Sequence, residues 1–401
     1  MIMEKLSNSV IIIGADHHNT LAVLRCLGKN KADITLLIHS SQISTSKPYI
    51  IKSRYAKKYY TCRENENELL IFLKKLKREE KVILFPCSDF AAYVLDKNYS
   101  ELSANYIIPG FKNSPGKIVY LMDKWNQWEF ARQNGIKMAK TWKIELSKDI
   151  APINDIVIPC IIKPEISAFG SKSDIHICEC EKDLYEAIDS FKEKKYECAI
   201  VQEFINKQYE VCAYGCLVDK TSNGVFSFGG VIKKEREWPP RGGGSLTYAT
   251  FINDARVLEH VNQVLEILYN QGYRGQYDVE FFVCSNNIYL NEINFRHSGN
   301  GYGLIKYGVM APYIWCLSAT NHNVTDYKTT VAPGKHHMDE FRDLLYHRKN
   351  GLSFFLWIVE FASTKAHSVF DLSDLGSTIS YYGGVLSLLV KKLSKRVKTH
   401  G

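Results

Sequence analysis

YDVEFFVCSNNIYLNEINFRHSG, residues 277–299, is the stretch on which the fold of this chain turns. Two apolar runs rich in Phe, Val, Ile and Tyr flank CSNN at 284–287, the pattern of a β-hairpin. A loop centred on Asn286 sets Glu280 opposite Glu292 and Asp278 opposite Asn294. Side chains alternate along a strand, so Glu280, Glu292, Asn294 and Arg296 gather on one face. Directly opposed carboxylates repel and weaken strand pairing, so a positive group belongs between them. A hard dication such as Mg2+, held by carboxylate and amide oxygens together with nucleotide phosphates, meets that need. The alternative is an edge hairpin with a solvated polar face, and a register shifted by one residue sends Glu280 to the other side.

Upstream of the hairpin the pattern changes once. From 9 to 110 short β-branched runs such as VIIIGAD, DITLLIHS and KVILFPCSD alternate with helical stretches, which predicts βαβ units and a parallel sheet. Gly14 suits a tight strand-to-helix turn, but no G-x-G-x-x-G follows, so a dinucleotide fingerprint is absent. KNSPGK at 112–117 reads as a linker, and 118–135 as one helix ended by Gly135. From about 155 strands come in blocks with two helical segments between them, which predicts an α+β region after the α/β one. Beyond 330 the pattern is mixed and ends in a basic tail.

The 401 residues correspond to about two to four domains. With 45% hydrophobic and 23% charged residues, the chain is not disordered, collagenous or coiled-coil. Its +8 charge is local: residues 34–63 hold six Lys or Arg and no acid, and the stretch after Asp374 holds five more and no acid. One short basic run without a recognised motif is no nucleic-acid surface. Eleven cysteines, odd in number and mostly within apolar strand-like runs, read as reduced core residues rather than a disulfide framework or a zinc site. The apolar run in MIMEKLSNSVIIIGAD is too short for a secretory signal, and FFLWIV at 354–359 falls far below the roughly 18 residues of a membrane span. A cytoplasmic protein is expected.

Four other segments bear on chemistry. In VIPCIIKPEISAFGSKSD a strand ends at Lys163-Pro164 before a small polar loop holding Ser167, Gly170 and Ser171. This suits a lysine and backbone amides closing on phosphate, or else a solvated lysine; it is not a Walker A loop. AIVQEFINKQYEVCAYG offers Glu203, Phe204 and Ile205 as an apolar slot with a backbone edge for adenine, and Glu210 as a carboxylate for ribose. The segment 233–250, with Arg236, Arg241 and three glycines, suits an anionic substrate, or is a flexible linker between strands. Gly299 lies in SGNGYG, able to close on substrate or phosphate, while His17 and His18 sit at the carboxyl edge of the first sheet, as ligand contacts or in a solvated loop.

Lys124, Lys163, Glu203-Phe204-Ile205, Glu210, Glu280, Glu292, Asn294 and Arg296 occur in the order expected of the ATP-grasp fold. Glu280 followed by Glu292-x-Asn294-x-Arg296 resembles the E…E-x-N-x-R signature of that superfamily, over residues 9–320. The resemblance implies a mixed α/β and α+β architecture. It comprises an N-terminal Rossmann-like pre-ATP-grasp domain (1–115), a small lobe or lid (116–200), a catalytic lobe (201–330) and a C-terminal extension (331–401). It implies an ADP-forming carboxylate–amine ligase that uses ATP with Mg2+ or Mn2+ and works through an acyl phosphate. Small-molecule carboxylates and amines would be its partners, and nucleic acid would not. Lys124 and Lys163 would contact phosphates, helped by Ser171, and Glu203, Phe204, Ile205 and Glu210 would hold the nucleoside. Glu280, Glu292 and Asn294 would hold the metal, and Arg296 would stabilise the transferring phosphoryl group. Outside what the resemblance fixes, His297 is a base for the amine or a structurally bonded loop histidine, and Arg236, Arg241 and Gly299 are the candidates to meet the substrate. Within the superfamily the chain looks most like the D-aspartate-ligase and carbamoyl-phosphate-synthase-like group, which implies amino-acid ligation for a wall or surface polymer. A bicarbonate-activating enzyme and a non-catalytic ATP-binding regulator are the alternatives. Leu386, Leu389, Val390, Leu393 and Val397 share one helical face opposite Lys391, Lys395 and Lys398, an amphipathic tail that docks on the protein or lies on an anionic membrane.

Overall fold

A computed structural model describes residues 4–41, 47–76, 80–147, 155–165, 174–239 and 244–399, with side chains as far as Ser387. Among these residues most strands fall into three sheets. The first is parallel, in the order Tyr59–Arg63, Ile34–Ser40, Val10–Gly14, Val82–Pro86, Tyr106–Ile107. Its central strands are buried along their length, as expected where crossover helices cover both faces. At the first turn a Cβ on Gly14 would stand 2.3 Å from Thr20 Oγ1, so glycine lets the helix His18–Lys29 start close to the strand.

The second sheet is antiparallel, in the order Thr141–Glu145, Cys198–Glu203, Cys160–Pro164, His176–Cys178. The helix Glu181–Glu193 covers it through Leu184, Ala187, Ile188 and Phe191. The third sheet runs Ile288–Asn294, Tyr273–Val283, Tyr209–Leu217, Ser227–Trp238, Ser245–Ile252, His336–Met338, Ala366–His367. The helix Ala255–Asn270 buries Val257, Val261, Val264, Leu265 and Leu268 in a core shared with this sheet. Another core joins the sheet to the helices Ala311–Ala319 and His18–Lys29, so the first and third sheets share apolar contacts. The expected parallel α/β sheet is present beside α+β sheets that are antiparallel except where His336–Met338 pairs in parallel with Ala366–His367.

Several expectations are corrected. The helix expected over 118–135 is two, Lys117–Met122 and Lys124–Gln133, because Asp123 is extended and its carboxylate caps the amides of Trp125 and Asn126. Residues Lys233–Trp238 and Ser245–Thr250 are paired strands rather than a mobile loop. The third sheet continues past residue 330 through His336–Met338 and Ala366–His367. No helix among the described residues is long and apolar enough to cross a membrane.

The last helix, Leu375–Thr399, is tied to the first sheet's layer at its start. Arg25 Nε donates to Asp374 Oδ2 at 2.8 Å with both side chains 0% exposed, and Ser53 Oγ and the Arg54 amide donate to the same carboxylate. Removing one partner of a buried ion pair strands the other charge, at a cost of about 3–5 kcal/mol. Arg25→Met should therefore lower unfolding stability by about that much in urea titration, and adding Asp374→Leu should restore part of the loss.

Candidate active site

The hairpin forms with Val283 opposite Ile288, Glu280 opposite Glu292 and Asp278 opposite Asn294. The turn itself is centred half a residue earlier than Asn286, and a bulge at Asn291 makes up the difference. Without that extra residue Glu292 would stand opposite Val279 and face away from Glu280. The bulged Asn291 donates from Nδ2 to Glu280 Oε2 at 3.2 Å. On the other flank, Tyr209–Leu217 sets Cys212 opposite Glu280 and Tyr214 opposite Asp278.

Asp278 and Glu280 lie with the Cys212 thiol so close that their ligand atoms fall within 4.8 Å of one another. Burial, with the negative charges of Asp278 and Glu292, pushes the Glu280 carboxyl up to about 7. Burial likewise raises Asp278, against the pull of Arg296. Hard carboxylate oxygens with excess buried negative charge, joined by the Asn294 amide, form a donor set that fits Mg2+. The Cys212 thiol, held protonated by burial, is a poor ligand for so hard an ion.

Cations reach the carboxylates from two other layers. Lys163 projects from Cys160–Pro164 and donates to Gln202 Oε1 at 2.8 Å. Burial and the neighbouring Lys124 push its ammonium down to about 8, while Glu292 and Glu280 pull it back up. Lys124 opens the helix Lys124–Gln133, and its amide donates to Glu165 O at 3.0 Å, which fixes the helix start beside the end of the Lys163 strand. From the same helix Gln127 accepts from Ile293 N–H at 2.9 Å and donates to Ile293 O at 3.0 Å, as a neighbouring strand would. A pocket lined by Asp89, Lys124, Gln127, Glu292 and Asn294 opens at that junction. Arg296 donates to Asp89 at 3.0 Å and Asp278 at 3.1 Å, and so bridges the first sheet's layer and the hairpin.

Lys124, Lys163, Glu280, Glu292, Asn294 and Arg296 are thus brought together. Other expected residues are placed differently. Glu210, assigned to ribose, has one oxygen on Lys207 and the other on Lys234, so a hydroxyl would have to compete with two ammonium groups. Glu203, Phe204 and Ile205 leave the strand Cys198–Glu203 half-buried; the Phe204 amide already donates to Pro159 O at 3.1 Å, and Glu203 accepts from the Lys140 amide at 3.3 Å. His297 is 3% exposed, packed against Phe85 and Gly301, and burial with Arg296 nearby pushes its imidazole down to about 3. It is a neutral interior residue rather than a base open to an amine. Arg236 is corrected from substrate contact to internal strut: it grips Asp343 (2.9 Å) and Glu360 (2.7 Å) and stacks on Tyr248. Gly299 lies over the first sheet's carboxyl edge, where a Cβ would approach Asn19 Oδ1 and His18 Nε2 at about 3 Å. His18 there is held neutral by burial and by His17 and Arg342. Ser171 and Arg241 lie outside the described residues.

Sequence reasoning missed Asp89, Gln127, Gln202, Cys212 and Lys234. Asp89 carried a usable signal, since it follows the parallel strand Val82–Pro86 at the edge where ligands gather. The others are brought in by sheet register and helix docking, which a local pattern does not encode.

Residues 129–306 match the family model of the ATP-grasp domain. The chain carries an ATP-grasp domain. It is 26% identical over 193 residues to N5-carboxyaminoimidazole ribonucleotide synthase of Staphylococcus aureus (strain MRSA252), covering 47% of this chain and 48% of that one. To D-alanine–D-alanine ligase of Campylobacter jejuni (strain 81-176) it is 32% identical over 144 residues, 34% of this chain and 40% of the ligase. The chain therefore spans about half the length of the curated relatives it matches, or less. In fold it is similar to N5-carboxyaminoimidazole synthetase from Staphylococcus aureus, with a TM-score of 0.60 at 19% identity over 87% of each chain. It is similar too to an L-amino acid ligase from Bacillus licheniformis, with a TM-score of 0.59 at 13% identity over 82% of this chain and 78% of that one. The relatives named here are a carboxyaminoimidazole ribonucleotide synthase, a D-alanine–D-alanine ligase and an L-amino acid ligase, rather than the expected D-aspartate ligase.

In this ATP-grasp site the raised Glu280 carboxyl favours the fold when protonated. Without added cation that contribution is present below about pH 4.5 and is lost as pH rises through about 7. A dication must displace the Glu280 proton, so thermal stabilisation by Mg2+ should grow between about pH 5.5 and 8. Glu280→Gln should flatten that profile in a thermal-shift titration, and a wild-type response to Mg2+ that is flat with pH would contradict the assignment.

Proposed function

We propose that this chain is an ATP-dependent, ADP-forming carboxylate–amine ligase, and that the carboxylate it activates belongs to an amino acid. The observation that carries the reading is the Glu280, Glu292 and Asn294 row, with Lys163 and Lys124 drawn to it from a second sheet and a separate helix. The ATP-grasp domain and the likeness to D-alanine–D-alanine ligase support it. Glu280, Glu292 and Asn294 would hold Mg2+, which would neutralise phosphate charge. Lys163 and Lys124 would bind the nucleotide's phosphates, and a Lys163 ammonium near pKa 8 gains full charge once an anion lies beside it. Arg296 would exchange Asp89 or Asp278 for the transferring phosphoryl oxygens.

The reaction is the attack of a carboxylate oxygen on the γ-phosphate, which gives an acyl phosphate and ADP, followed by attack of an amine nitrogen on the acyl carbon with release of phosphate. Phosphoryl transfer of this kind rests on positioning and charge neutralisation, so the lysines and the arginine suffice without a protein nucleophile. The carboxyl edge of the first sheet, with His18, Asn19 and Gly299, is where the amino-acid substrate would lie.

ADP release assayed across D- and L-amino acids, each with and without an amine acceptor, tests this directly, with hydroxylamine to trap the acyl phosphate. Amino-acid-dependent ADP release with hydroxamate formation is expected, and Lys163→Met should lower kcat by about a hundredfold or more. ADP release that requires bicarbonate and ignores amino acids would move the reading to a bicarbonate-activating enzyme. ATP binding with no turnover under any of these conditions would end the ligase reading.

A further inference from the structure

The helix Phe354–Ser363 has the polarity of a surface helix reversed. None of its residues is buried, and Phe354, Phe355, Leu356, Ile358 and Val359 are 43–73% exposed, spread over more than half the helix circumference. Its one acid, Glu360, turns inward to Arg236, and Phe361 packs on His367 and Phe370. An outward face this apolar exceeds what a soluble surface normally presents.

The charge around it is equally one-sided. Arg348 and Lys349 precede the helix and Lys365 follows it, all three exposed. From 344 onward the chain has eight Lys or Arg against three acids. Each of those acids is already paired inside the protein: Glu360 with Arg236, Asp371 with Lys29 and Lys306, and Asp374 with Arg25. The same region adds exposed Leu372 just before the last helix and exposed Leu375, Ile379 and Leu386 along it, and the later sequence of that helix is basic. Both helices adjoin Glu340–Lys349, the last one through the Tyr382 hydroxyl bonded to Glu340. Exposed cations flank exposed aromatic and aliphatic side chains, and no acid is left unpaired to repel an anion.

The geometry points to a surface that seats on an anionic lipid bilayer, with the Phe354–Ser363 helix lying in the interface and the surrounding cations meeting headgroups. Such a helix gains from apolar burial and from anionic lipid together, so its binding depends on both lipid charge and salt. A second copy of the chain seated face to face would need acids to match these cations, and among the described residues from 344 onward every acid is already paired inside the protein.

The test is co-sedimentation of the full chain with phosphatidylcholine vesicles containing or lacking phosphatidylglycerol, alongside sedimentation velocity without lipid. Binding to the anionic vesicles, weakened about tenfold or more by Phe355→Asp with Val359→Asp and weakened again by high salt, is the expected result. Because both positions are exposed, the double variant should keep its circular dichroism and its ATP turnover. A separate charge variant, Arg348→Gln with Lys349→Gln, should weaken binding while leaving the apolar face intact. Failure of the wild type to sediment with anionic vesicles overturns the inference. So does equal binding to neutral vesicles, or a dimer that the double aspartate variant splits while lipid is ignored.

Discussion

Mutual repulsion among Asp278, Glu280 and Glu292 is the constraint around which the structure is organised. Three carboxylates on one face of a two-stranded hairpin would force the strands apart if nothing else held them. The opposite face holds them, because Val279, Phe281 and Ile293 belong to the core beneath the helix Ala255–Asn270. The acidic row is also met from outside by groups that the hairpin does not own. Arg296 ties it to Asp89 of the first layer, Lys163 arrives from the second sheet and Lys124 from a helix clamped to the edge strand. The site exists only where three separately built layers meet.

The arginines show how the same residue type takes opposite parts. Arg296 and Arg236 both project from strands of the third sheet or from its edge, and both grip two acids. Arg296 lies beside the acidic row, so an incoming anion competes for it with acids whose own neighbours are negative. Arg236 lies where Asp343 and Glu360 close around it under Tyr248, and what it holds is the packing of the late helices on the sheet. Sequence shows an arginine in a glycine-rich surround in one case and a signature residue in the other. The difference lies in acids more than a hundred residues away for Arg236.

The fold class, the hairpin and the face shared by Glu280, Glu292 and Asn294 were legible because each rests on local rules: alternation, turn composition and strand–helix order. The bulge at Asn291 was not legible, yet it preserved the pairing that a misplaced turn centre had given. The Asp123 break was hidden because a run of helix-forming residues on both sides masks an N-cap aspartate. Glu210 was proposed from its charge and place near a strand end, and His297 was left between base and structural histidine; their partners, Lys207 and Lys234 for one and Phe85 with Gly301 for the other, follow from tertiary packing. The strand Thr141–Glu145 alternates over too short a span, TWKIE, to stand out from its surroundings.

The Arg25 to Asp374 pair spans 349 residues of chain. While the polypeptide is emerging from a ribosome, the first sheet can assemble long before its arginine has a partner. Until Asp374 has been made, that guanidinium must stay hydrated or leave the layer under the helix His18–Lys29 loosely closed. Completion of the first layer therefore waits for Asp374, and a nascent chain stalled before that residue would expose the surface that the last helix covers.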